Sequence, residues 1–367
     1  MKRPFNKLKI LFNNKIFFDQ KYGGISRYFT TIFDTLIKKD ITFKVIAPIY
    51  KNVYLKNLNN LYKKGIFFPR YPLNPNLERL NNYISNKFIN NHNYNIIHDT
   101  YFSEHLLNIR NKKKIVTVHD TIHEQFEKYY DSKRIIQDRQ KIFENIDEII
   151  CVSNSTKEDL LDIYKIPEKK INVVYHGSDH LDRIEVDRKK IESQLIDQIY
   201  KPFLLYVGKR YRYKNYELLV NAFAKSKMLK DNCHIIFFGG ETVSKSEMKF
   251  YSSLGVNKKI FHVNGSDHIL KYLYSNAQVM ISTSKYEGFG LNILEAIRLG
   301  CKVLAKDIKV FREIFGNKLN YFHDSDDLQN FLEKLNYQNN KNLPDIQIIK
   351  DFNWSKTTDE TLKIYRK

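Results

Sequence analysis

Between Pro202 and Tyr216 the chain carries four cations and no carboxylate. The apolar run Phe203–Val207 leads into Gly208, Lys209, Arg210, Tyr211, Arg212, Tyr213, Lys214 and Asn215, and a helical pattern follows. A basic loop at the carboxyl end of a parallel strand and the head of a helix favours phosphate twice, by charge and by the helix dipole. A solvated loop is the plain alternative. A second segment, residues 284–296, reads SKYEGFGLNILEA and holds two carboxylates eight residues apart, Glu287 and Glu295. Gly288 and Gly290 permit a tight turn with exposed backbone N–H groups before a helix begins. Glu287 then stands at a strand tip. Glu295 lies one helical turn from Leu291 and from Leu299, on their apolar stripe, and a carboxylate there needs a partner. Taken singly, Glu287 reads as a turn residue and Glu295 as half of a structural salt bridge.

The elements that must position these loops repeat a βα rhythm. From Pro202 onward, short apolar runs at 203–207, 234–238, 260–263, 278–282 and 303–305 alternate with helical patterns at 216–226, 244–253, 266–275, 290–299 and 308–315. The runs are continuous rather than alternating, as for parallel strands covered on both faces. The first half repeats the rhythm less cleanly, with strands near 8–12, 42–47, 95–98, 115–119, 148–152 and 171–175 and helices at 24–38, 76–90, 134–145 and 154–164. A polar stretch between His180 and Lys201 separates the halves, so the expected domains are 1–184 and 185–349. After Leu343–Pro344 an amphipathic segment closes the chain, and 350–367 is expected to return to the first domain. At 367 residues, with 25 Tyr and 25 Phe, two cores are expected and disorder is excluded.

A net charge of +20 favours anionic partners, although Lys, Asn, Ile and Tyr are heavily used throughout and composition bias explains the excess equally well. Three cysteines, 151, 233 and 301, show no metal spacing and leave an odd thiol, which points to a reducing, cytoplasmic compartment. The start, MKRPFNKLKILFNNKIFF, is interrupted by Asn13, Asn14 and Lys15 and reads as a first strand rather than a leader. No apolar stretch approaches the ~18 residues of a spanning helix.

Together the two loops resemble the retaining nucleotide-sugar glycosyltransferases of glycosyltransferase family 4. EGFGLNILEA is similar to that family's glutamate, seven residues, glutamate signature, and YVGKRYRYKNYELLVNAFA to its phosphate-binding strand, loop and helix. Further matches are Gly23-Gly24-Ile25-Ser26-Arg27-Tyr28, VTVHDT at 116–121, VSNSTKEDL at 152–160, VVYHGSD at 173–179 and FFGGE at 237–241. The resemblance implies the GT-B fold, α/β with two Rossmann-like parallel-sheet domains facing a central cleft. It implies that Arg210 and Lys214, in the loop opened by Gly208, neutralise the donor diphosphate. Glu295 would accept hydrogen bonds from the ribose, and Glu287 would lie against the transferred sugar. Backbone groups of Gly288, Phe289, Gly290 and Leu291 would hold that sugar and its phosphate, with Gly24 facing the diphosphate. His119 and Asp120 would meet the sugar or the acceptor hydroxyl. The chain departs from the family where Pro is common, at Thr283, Asn292 and Lys302, which bears on loop stiffness more than on chemistry.

The expected function is transfer of a hexose to a hydroxyl of a glycan or lipid-linked acceptor in surface-polysaccharide synthesis. The donor reads as GDP-mannose first and a UDP-sugar second. The donor is a co-substrate, and neither a cofactor nor a metal is expected; Asp324-Ser325-Asp326 lies far in sequence from the phosphate loop. Alternatives are an epimerase or phosphorylase of the same fold, or a basic nucleic-acid-binding protein. The last is disfavoured, because no helix-turn-helix, zinc or aromatic ribonucleoprotein signature occurs. Lys51, Lys56, Lys63, Lys64 and Arg70, interspersed with Tyr54, Leu58, Leu61, Phe67 and Phe68, read either as a peripheral surface for anionic membrane or as a solvated loop.

Overall fold

The computed structural model describes residues 8–367 apart from 72–73, 91–92, 108, 211 and 336–348. Tyr211 and Leu343–Pro344 fall outside the described residues. The chain divides into two units, Met1–Gly177 with Trp354–Lys367, and Ser178–Asn353. The first contains β1 (Lys9–Phe12), β2 (Thr42–Tyr50), β3 (Lys63–Phe67), β4 (Ile96–Asp99), β5 (Lys113–Val118), β6 (Glu148–Cys151) and β7 (Ile171–Val173). They form one sheet in the order β3-β2-β1-β4-β5-β6-β7, every pair parallel. The second contains β8 (Phe203–Val207), β9 (His234–Phe238), β10 (Ile260–Val263), β11 (Val279–Ser282), β12 (Val303–Lys306) and β13 (Asn320–Phe322). Its order is β10-β9-β8-β11-β12-β13, again all parallel.

Both units are thus the doubly wound α/β architecture expected from the continuous apolar runs. All five residues of β9 and all four of β11 are buried, as strands with helices on both faces must be. In each sheet the order reverses beside the first strand, between β1 and β4 and between β8 and β11. Crossovers leave such a point toward opposite faces, which opens a crevice at the strands' carboxyl ends.

In the first unit that crevice is held by a buried polar knot absent from the sequence reading. Asn13, just past β1, donates through Nδ2 to Asp99 Oδ1 (2.8 Å) and Ser103 Oγ (2.7 Å) and accepts from the Thr100 backbone N–H (2.8 Å). The two Asn residues that look like an interruption of an apolar run are both fully buried. The closing helix, Trp354–Arg366, packs on the helix Gly24–Lys38, with Lys39 and Asp359 paired at 2.9 Å. Its Tyr365 hydroxyl meets His98 Nδ1 at 2.6 Å, and His98 Nε2 meets Thr117 Oγ1 at 2.8 Å. Burial pushes the His98 imidazole down to about 3, so it is neutral at pH 7 and each ring nitrogen has a hydroxyl partner.

The units meet at 177/178 and 353/354, not at 184/185 and 349/350 as the sequence reading placed them. Arg298 supplies the physical reason. Its Nε donates to Ser178 Oγ (3.1 Å), Nη1 to Asp182 (2.9 Å), and Nη2 to the carbonyls of Ile349 and Phe352 (3.2 Å each). One side chain therefore gathers both stretches into the second unit. Strands β3 and β13, which the sequence reading missed, are outermost strands of their sheets and only five and three residues long. Two members of the basic-aromatic stretch expected at the surface lie inside the first unit. Lys63 is buried with its ammonium donating to the carbonyls of Leu55 (2.9 Å) and Lys56 (2.6 Å), and Leu58 is buried too, so neither belongs to a surface.

Candidate functional site

The chemistry-bearing loops of the second unit leave adjacent strands at the point where strand order reverses. One, 208–215, follows β8; the other, 283–290, follows β11. Hydrogen bonds to main-chain carbonyls tie them together. The Lys285 N–H donates to the Tyr213 carbonyl at 2.8 Å, and Thr283 Oγ1 donates to the Lys214 carbonyl at 2.7 Å. From beneath, the buried Tyr206 hydroxyl donates to the Lys209 carbonyl (3.1 Å). Two of the family departures thus acquire work: Thr283 supplies the bond to Lys214, and Asn292 Nδ2 donates to the Val207 carbonyl at 3.4 Å. A proline could make neither bond.

This scaffold brings Lys214 and Glu287 together across 73 positions of sequence, Nζ to Oε1 at 2.5 Å, with side chains 20% and 14% exposed. Gly290 caps the helix Leu291–Arg298 with φ of +102°, and a Cβ there would lie 2.8 Å from the Phe311 ring, so conformation and space both call for glycine. The helix carries Glu295 inward. Its carboxylate, 4% exposed, accepts from the Tyr274 hydroxyl at Oε2 (2.9 Å) and faces His180 Nε2 from Oε1 (3.0 Å). These are the partners that a carboxylate on an apolar stripe demands, and neither was foreseen. Phe289 is buried, its ring 6.0 Å from that of Phe352. Gly208 stands in open space with φ of +136°.

Arg210 occupies a different position from the one its neighbour takes. Its side chain is 2% exposed, and Nε donates to Glu247 at 2.8 Å, Nη1 to the Gly239 carbonyl at 3.2 Å and Nη2 to the Glu241 carbonyl at 2.5 Å. Burial acts to raise the Glu247 carboxyl, but hydrogen bonds from Ser244 and Arg210 outweigh it and hold the group below its ordinary value.

In the first unit, Gly24 opens the helix Gly24–Lys38 and a Cβ on it would meet nothing within 4 Å. His119 follows β5, buried against the rings of Tyr28 (4.9 Å), Phe29 (6.1 Å) and His176 (5.7 Å). Burial first, then His176 and His98, keeps its imidazole well below the ordinary value and hence neutral. Asp120 caps the turn after it, Oδ1 accepting from the Ile122 N–H at 3.1 Å. Behind that turn Glu124 takes a hydrogen bond from Tyr164 (2.5 Å) and an ion pair from Arg139 (2.6 Å), a buried cluster with no signature in sequence. Among the described residues, no group of three or more His, Cys, Asp and Glu is placed to hold a metal ion.

Comparison with known proteins bears on the family and the fold. Residues 22–180 match the family model described as Glycosyltransferase Family 4, and residues 187–345 match that described as Glycosyl transferases group 1. An uncharacterized glycosyltransferase of Methanocaldococcus jannaschii is 29% identical over 47% of this chain and 45% of its own. An O-antigen chain mannosyltransferase of Salmonella typhimurium is 26% identical over 60% of this chain and 64% of its own. The matches therefore span about half to two thirds of those relatives' lengths. Among solved structures, a sucrose-phosphate synthase of Thermosynechococcus elongatus superposes with a TM-score of 0.77 at 19% identity, over 98% of both chains, which establishes the shared fold.

Proposed function

The chain belongs to glycosyltransferase family 4, with the GT-B fold, and from that premise we propose that it moves a sugar from a nucleoside diphosphate donor to a hydroxyl acceptor with retention of anomeric configuration. The observation that carries the proposal is the convergence of Lys214 and Glu287 at the tips of β8 and β11, where an open α/β sheet takes its ligand. As the C1–O bond to the diphosphate breaks, negative charge gathers on the phosphate oxygen and positive charge on the sugar ring. The acceptor oxygen bonds to C1, and its proton leaves with the departing phosphate or through a basic side chain. In this scheme Lys214 meets the first charge, Glu287 the second, and Glu295 holds the ribose. Backbone groups of 288–291 hold the phosphate, and charge neutralisation falls to side chains rather than a resident metal. For Gly24, His119 and Asp120 of the first unit, the roles toward donor phosphate, sugar and acceptor are proposed on the resemblance of their motifs alone.

Mannose is favoured because a relative 26% identical over 60% of this chain is named an O-antigen chain mannosyltransferase, and a GDP donor because the Arg-x-x-x-Lys-Asn form of the loop at 210–215 resembles that of mannosyl- and related transferases. A panel of GDP, UDP and ADP in thermal unfolding tests it. The cognate nucleoside diphosphate at a hundred times its dissociation constant adds about 2.7 kcal/mol of stability. Stabilisation by UDP alone would replace the donor, and stabilisation by none would remove the reaction class.

We further assign the acceptor side to the cytoplasmic face of a membrane. No described helix is long and apolar enough to cross one. Leu61, Ile66 and Phe68 are 75%, 71% and 53% exposed in and beside the outermost strand β3, close in sequence to exposed Lys64 and Arg70. That pattern suits anionic lipid. Vesicles with anionic headgroups should float the protein at low salt and release it at high salt; absence of low-salt binding rejects the assignment.

A further inference from the structure

Arg210 has the sequence of a phosphate ligand and the surroundings of a fastener. We propose that Arg210 and Glu247 form a positioning pair that locks the loop after β9 onto the phosphate loop after β8, so that Arg210 shapes the anion site without serving as its counter-ion. The proposal rests on the reading of 208–215 as the donor loop and replaces one role within it.

Three observations carry it. First, the guanidinium is enclosed and committed. Its Nε, Nη1 and Nη2 donate to Glu247, the Gly239 carbonyl and the Glu241 carbonyl, and it lies 5.5 Å from the Phe237 ring centroid. Lys214, by contrast, keeps a fifth of its side chain exposed. Second, Glu247 uses both oxygens. Oε1 takes Arg210, while Oε2 accepts from the Ser244 N–H (2.7 Å) in a capping box whose other half is Ser244 Oγ on the Glu247 N–H (3.2 Å). The helix Lys245–Ser253 is thereby hinged on the arginine. Third, the loop so fastened is pressed into place. Gly239 and Gly240 both have left-handed φ, +84° and +77°, and a Cβ on Gly240 would come 3.2 Å from Lys209 Cα and 3.4 Å from the Gly208 carbonyl. The 239–240 turn therefore forms a wall against the 208–210 backbone, held also by His262 Nε2 at the Gly239 carbonyl (3.1 Å).

Electrostatics gives the two roles opposite signs. A counter-ion shared with Glu247 is weakened by that carboxylate, so removing the carboxylate strengthens anion binding. A fastener needs the carboxylate, so removing it loosens the loop and weakens anion binding although an anion has been taken away. Arg210→Lys divides the roles again, since lysine keeps the charge and loses the planar fork.

The experiment is calorimetric titration of the folded protein with the nucleoside diphosphate that stabilises the parent, for Glu247→Ala, Arg210→Lys and the double variant. Each single change is expected to weaken binding by about tenfold, and the double by no more than the worse single, the non-additivity of one shared network. Glu247→Gln, which keeps a capping acceptor, stands in if the alanine variant does not fold. Binding unchanged or tightened in the Glu247 variant, parental affinity in Arg210→Lys, or losses that multiply would overturn the proposal. Amide hydrogen exchange supplies a readout without ligand: residues 208–210 should exchange faster in the Glu247 variant, and unchanged exchange there also refutes the pair. If the parent binds no nucleoside diphosphate but exchange in that loop responds, the donor reading fails and the fastener stands.

Discussion

Lys214→Ala is expected to lower donor-saturated turnover by roughly 10²–10³-fold while shifting the thermal midpoint little. Two magnitudes decide this. Removing one partner of the Lys214–Glu287 pair, with side chains 20% and 14% exposed, costs folding an amount between the ~1 kcal/mol of an exposed pair and the ~3 kcal/mol or more of a fully buried one, spread over a large unit, whereas a preorganised cation aimed at charge that appears during bond cleavage is worth ~3–4 kcal/mol of barrier. The loop itself is held through main-chain carbonyls, by Thr283 Oγ1 on Lys214 and the Lys285 N–H on Tyr213, and the substitution leaves these bonds alone. Lys214→Arg, which restores the charge with different reach, should recover part of the rate. Initial rates at saturating donor beside circular-dichroism melting separate the two effects. Near-parental turnover in Lys214→Ala would take Lys214 out of the reaction.

The sequence exposes the parts of this fold that depend on local pattern. Continuous apolar runs reveal β8, β9 and β11 because a strand covered on both faces has no polar alternation to hide it. Strand β3 escaped notice for the converse reason: it lies at a sheet edge, with Gly65 in its middle and Ile66 facing solvent, so KKGIF resembles a loop. The loops bearing Lys214 and Glu287 were legible because their glycines and charges are contiguous. Their stabilising partners were not. Tyr274 and His180 reach Glu295 from 21 and 115 positions away, and Glu247 reaches Arg210 from 37, distances at which no periodicity operates.

That asymmetry also explains how Arg210 reads as a ligand in sequence and, on the proposed reading, acts as a fastener. A cation in a basic loop beside a strand end carries the same letters whether its guanidinium faces solvent or the protein interior. What distinguishes the cases is the fate of the turn carbonyls at 239 and 241, which need donors and find them on Arg210. The asparagines at 13 and 14 teach the same lesson from the other side. Polar letters within an apolar run read as a break in it, yet Asn13 closes the crevice of the first sheet by bonding across to Asp99, Thr100 and Ser103.

The second large effect is expected at the two glutamates, whose roles should separate. Glu295 is buried and braced by Tyr274 and His180, a rigid acceptor suited to ribose hydroxyls in ground and transition states alike. Losing hydrogen bonds to a charged acceptor costs ~1.5–3 kcal/mol, so Glu295→Gln should weaken nucleoside diphosphate binding by roughly 10–100-fold. Turnover at saturating donor should fall much less, because uniform binding does not lower the chemical barrier. Glu287 is different. Its carboxylate stands at a strand tip against Lys214 and, on the proposed scheme, beside the sugar, where positive charge appears only as the C1–O bond breaks. Glu287→Gln should therefore cut saturated turnover by roughly 10²-fold or more. The ion pair adds a sign to the comparison: without Glu287 the Lys214 ammonium loses its competing anion, so nucleoside diphosphate affinity should hold or rise while the rate collapses. Donor-saturated turnover and nucleoside diphosphate affinity, measured for both variants, decide the matter. Parallel losses in both quantities would refute the division of labour, and a Glu287→Gln variant that binds the diphosphate more weakly would show that Glu287 organises Lys214 rather than facing the reacting sugar.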